Sequence, residues 1–109
     1  MINQVKYLYT VFLMWDDGMF IEQVEAKSVR AAQSKWLKRM ATQIDDGTSS
    51  LPDVKRAHWS KFAKGILLEK VIPLEGVTNI WCTTGRLKRK YALVNFVRTL
   101  EIKGGTKEV

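Results

Sequence analysis

Cysteine and histidine each occur once in this sequence, as Cys82 and His58, and proline only twice. A lone cysteine forms no internal disulfide, and disulfides belong to oxidising compartments, so the expected setting is reducing and cytoplasmic. One Cys and one His leave at least two ligands of a zinc site to carboxylates, with no metal-binding spacing, so neither a metal nor another cofactor is expected. A Cys–His nucleophilic pair would have to use both residues, with Asp53 or Asn79 as the orienting group. Cys82 beside Trp81 in a strand reads more simply as a small buried hydrophobe. Walker A, dinucleotide-binding GxGxxG, HExxH and nucleophile-elbow motifs are all missing, which removes the enzyme classes that sequence reports most readily. The chain is therefore read as non-enzymatic.

Long apolar runs are missing too. The longest, Tyr7 to Trp15, is broken by Thr10 and stops at Asp16-Asp17-Gly18, well short of the ~20 residues of a membrane span. No basic run precedes it and no small-residue cleavage site follows, so neither a membrane partner nor a secretory signal is expected. Hydrophobic residues nevertheless make up 46% of the 109 residues, too many for a disordered chain. One domain is expected over residues 1–100, with 101–109, carrying Gly104-Gly105, as a flexible tail.

Charge is unevenly distributed. Residues 1–51 carry six Lys/Arg and six Asp/Glu, whereas residues 52–109 carry twelve against five, so the whole net charge of +7 lies in the second half. Such asymmetry points to a polyanionic or acidic partner.

Val5 to Trp15 reads as a central strand, apolar on both faces and rich in β-branched and aromatic residues. Asp17-Gly18 gives a hairpin signal, with Met19 to Ala26 as the return strand. Ser28 suits a helix N-cap, and Val29, Ala32, Trp36, Met40 and Ile44 follow at helical spacing with Arg30, Lys35, Lys38 and Arg39 off that row. Asp45 to Ser50 reads as a loop, and Pro52 as the opening of a second helix from Asp53 to about Val71, with Val54, His58 or Trp59, Phe62, Ile66 and Leu67 near one face. Val77 to Thr83 and Tyr91 to Leu100 read as a second hairpin turned around Thr84-Gly85-Arg86. The fold class is therefore α+β: an antiparallel sheet of about four strands in ββ-αα-ββ order, two helices on one face. The apolar second face of the sheet suggests a cover, and a homodimer is the expected one.

The basic run Arg86-Leu87-Lys88-Arg89-Lys90, at or near the second hairpin turn, is the main candidate for polyanion binding, with Lys61, Lys64 and Arg56 extending its surface. A charged hairpin tip that guards a sheet edge gives the same pattern. Trp59 on the basic helix and Tyr91 beside the run are the candidate aromatic contacts. The acidic pairs Asp16-Asp17 and Asp45-Asp46 read as turn formers.

Trp15-Asp16-Asp17-Gly18, Phe20-Ile21-Glu22-Gln23-Val24, the helix around Ala32 and Trp36, and Asn79-Ile80-Trp81-Cys82 followed by Tyr91 to Thr99 resemble small bacterial orphan proteins. These are single-domain products of mobile gene cassettes and accessory islands. The resemblance implies a bacterial accessory role and transfers no site. The functional expectation is a small binding protein that takes nucleic acid or another polyanion on its basic loop. The alternative is an immunity or antitoxin-like interaction module with an acidic protein partner.

Overall fold

A computed structural model describes the backbone of residues 5–103 and the side chains of residues 5–99. Its strands are β1 (Val5–Trp15), β2 (Gly18–Ala26), β3 (Ile72–Pro73), β4 (Ile80–Leu87) and β5 (Lys90–Lys103), and its helices are α1 (Val29–Asp46) and α2 (Arg56–Leu68). The strands form one antiparallel sheet in the order β2-β1-β5-β4-β3. The α+β class and the central place of β1 match the sequence reading; the fifth strand, β3, is an addition. No helix among the described residues is long and apolar enough to cross a membrane.

Alternation along the strands sorts side chains to two faces. Tyr9, Val11, Leu13 and Trp15 of β1 and Ala92, Val94 and Phe96 of β5 are buried with Ala32, Trp36 and Met40 of α1 and Trp59, Phe62 and Ile66 of α2. The Trp36 ring packs edge-on against Trp59 and Phe96, with centroids 5.5 and 6.0 Å away. Each such pair contributes about 0.5–1.5 kcal/mol beyond area burial. The other face stays open: Phe12, Met14, Leu93 and Val97 are half-buried, while Met19 and Ile21 are 56% and 54% exposed.

Ser28 caps α1 as expected, its hydroxyl accepting from Ala31 N at 3.1 Å. The helix runs two residues past Ile44, and Gly47 at φ 80° ends it while Thr48 N donates to Gln43 O at 2.9 Å. Helix α2 starts later than Pro52 suggests, because Asp53 sits at φ 57°, outside helical geometry. Its first turn is closed instead by Lys55 N donating to His58 Nδ1 at 3.0 Å.

The first hairpin turns on Asp16 and Asp17 at φ 53° and 64°, with Trp15 opposite Gly18. Both central residues are left-handed, as a two-residue primed turn requires. Gly18 thus lies just after the turn, where a Cβ would stand 3.0 Å from the Phe20 ring. β5 continues to Lys103, three residues beyond the expected tail boundary, pairing with β1 from Val5 to Trp15. Residues 104–109, the rest of that expected tail, lie outside the described residues.

Candidate anion-binding site

The second hairpin turns on Lys88 and Arg89, at φ 53° and 70°, with Leu87 opposite Lys90. This corrects the expected turn: Thr84-Gly85-Arg86 lies inside β4, where Gly85 lets α2 come close, since a Cβ there would meet Phe62 at 3.1 Å. Lys and Arg do not favour left-handed backbone, so other contacts hold this tip. Trp15 Nε1 donates to Leu87 O at 2.8 Å. Lys88 Nζ donates to Asp53 O at 2.7 Å and sits 3.3 Å from its Oδ2, and Arg86 Nη1 donates to Arg89 O at 3.2 Å. Lys90 Nζ lies 2.5 Å from Asp16 Oδ1, so the two hairpin tips stand side by side at one end of the sheet.

Beside this tip, Arg86, Lys88 and Arg89 join His58 and Lys61 of α2 around a concavity of about 590 Å³. His58 Nδ1 accepts from its own helix cap, so the neutral imidazole carries its proton on Nε2, as a donor. Among the described residues Asp53 is the one carboxylate in contact with these cations, and Lys61, Arg86 and Arg89 have no ion-pair partner. The site therefore carries excess positive charge in a shape that presents several donors to one anionic group.

The other expected contacts fall elsewhere. Lys90 is turned to Asp16, and Arg56 pairs with Asp45 and lines the groove between the helices. Lys64 is exposed on α2 without lining the concavity. Trp59 is not an exposed contact: it is 1% exposed, and its Nε1 donates to Leu37 O at 3.0 Å. The reason is that α2 packs on α1 as well as on the sheet, so two sides of the helix are covered. Tyr91 is 64% exposed, opposite Arg86 in the ladder. His58 and Asp53, weighed in the sequence only beside Cys82, belong instead to this site, a role sequence reasoning missed. The only signal for His58 was its spacing of three from Lys61, which puts both on one side of a helix.

Cys82 and His58 are not brought together. Cys82 alternates with the buried Thr83, so it lies on the open face of the sheet, half-buried rather than buried, and it does not line the concavity. Among the described residues no three His, Cys, Asp or Glu side chains cluster to hold a metal ion.

The sheet edge next to the concavity is bare. β3 pairs only with Trp81 and Cys82, and Leu74 N donates to Ile80 O at 3.0 Å. Backbone groups alternate in direction along a strand, so those of Ile80, Cys82, Thr84 and Arg86 all face the β3 side. Beyond the end of β3, Thr84 and Arg86 have no backbone partner on that side among the described residues. Comparison with family models, curated proteins and solved structures finds no match to the chain.

Proposed function

We propose that this chain is a non-enzymatic interaction module that docks an acidic segment of a partner protein on the basic concavity. One observation carries the reading: Lys61, 25 residues before Arg86 in the chain, meets Arg86, Lys88 and Arg89 around a single hollow with Asp53 as their one carboxylate contact among the described residues. Excess cations around a hollow raise the local concentration of an anionic partner and steer its approach. Nucleic acid is the second reading, supported by Tyr91 standing exposed beside the cations. It is the weaker one, because Trp59, the other expected aromatic contact, lies in the core. A second copy of the chain on the open sheet face belongs to the same reading: Leu8, Phe12, Met14, Leu93 and Val97 line the middle of that face without charge, with Lys6, Glu25 and Arg86 toward its margins.

The test is titration with labelled poly-L-glutamate and with single-stranded and duplex oligonucleotides at two salt concentrations. Micromolar binding to polyglutamate is expected, weakened about tenfold or more by Lys61→Glu with Arg86→Glu, and little changed by Lys64→Glu. Tighter, steeply salt-dependent binding of oligonucleotide would move the assignment to nucleic acid. Absence of binding to either at low salt would remove the concavity as a site.

A further inference from the structure

From the bare edge of β4 we infer that the acidic segment binds as an added strand, pairing with Thr84 and Arg86 in line with β3; this rests on the concavity being the docking site. Three observations meet there. Among the described residues the edge offers four unpaired backbone groups, the N–H and C=O of Thr84 and of Arg86, on the side where β3 already pairs with Trp81 and Cys82. An extended peptide satisfies such groups with its own backbone, which gives affinity with little dependence on sequence.

The second observation is the helix above the edge. His58 and Lys61 line the concavity with Arg86, and the stripe they begin continues at Gly65 and Leu68, three and four residues apart. Gly65 has open space where a Cβ would stand, and Leu68 is 86% exposed. The stripe thus runs from charge through a gap to an apolar end, matching a short segment with acidic residues at one end and an apolar residue at the other.

Charge supplies the third and selects the occupant. A second copy pairing edge to edge would bring Arg86, Lys88 and Arg89 near their own counterparts, and like charges across a strand pair are destabilising. An acidic strand removes that repulsion. A peptide residue opposite Arg86 projects to the same sheet face as Arg86, and the residue next to it projects toward α2 and Lys61. Carboxylates at consecutive positions are therefore both served.

The experiment uses the whole chain and an acetylated peptide of four Glu followed by four Val, together with the same peptide N-methylated at every second residue. N-methylation leaves charge in place and removes the N–H groups that one edge of the peptide donates. Because either edge of the peptide could face β4, both alternating N-methyl patterns are used. Binding of the unmodified peptide is expected, with loss of about tenfold or more for one methylation pattern and little change for the other. Thr84→Pro removes an outward N–H without touching the β4–β5 ladder, a position where an edge tolerates proline, and it is expected to weaken the peptide while leaving binding of inorganic phosphate unchanged. If both N-methylated peptides bind like the parent, strand addition is overturned while the anion site stands. If no acidic peptide binds but oligothymidylate does, the partner class is overturned. If nothing binds, the docking site itself fails.

Discussion

Tyr9 shows how burial of one hydroxyl couples stability to pH. It is buried beside Trp81, with ring centroids 6.1 Å apart, and that burial pushes its phenol above the usual 10.0, while the Arg98 guanidinium pulls in the opposite direction. The folded chain thus holds this proton more tightly than the unfolded chain does. Its contribution is complete below the unfolded value, about pH 10, and is lost as pH rises through the higher folded value. Denaturant unfolding is expected to show stability falling from about pH 10 upward, with a shallower fall in Tyr9→Phe; parallel profiles would assign the alkaline loss to other groups. At this scale the sequence was readable where one face decides a residue's fate. Trp15 and Trp36 occupy the core positions that periodicity gives them. Gln33 and Leu37 were not legible, because they are buried by α1's contact with α2 as well as the sheet, which no single stripe encodes. The Gln33 amide is also buried without a hydrogen-bond partner, a group that costs stability unless water reaches it.

The two hairpin turns contrast what local sequence does and does not specify. Asp-Asp before Gly marks the first turn to within one residue, since Asp tolerates left-handed backbone. Lys88-Arg89 carries no such mark; Trp15, Asp53 and Arg86 fix that turn through bonds that span up to 72 residues of chain. The short β3 was illegible for the same reason, being defined by its contact with β4. Left-handed backbone is costly for a residue with a side chain, about 1–2 kcal/mol per residue in repeated form. Asp17→Gly is therefore expected to stabilise the chain by roughly 0.5–1 kcal/mol, seen as a higher urea midpoint at unchanged slope. A lower midpoint would mean that the Asp17 side chain contributes more than its backbone costs.

At the scale of the whole molecule, the helices leave one sheet face uncovered, with Leu8, Phe12, Met14, Leu93 and Val97 along its middle. Light scattering is expected to give twice the 12.5 kDa of the chain, reverting to one copy in Ile21→Glu, which places charge on that face. A single copy at every concentration would remove the dimer and leave the binding site untouched. The concavity itself could not be read from the sequence, although Lys61 and the hairpin cations could, because α2 and the tip of β4 are joined only by the folded sheet. The strand order has a further consequence. β1 and β5, the first and last strands, are neighbours at the centre, so residues as far apart as Val5 and Lys103 face each other. Closing so long a loop slows folding. On the ribosome, β1, rich in tyrosine and other apolar residues, waits with an unpaired side until β5 has been made, and a chain cut before Lys90 keeps that side open to aggregation.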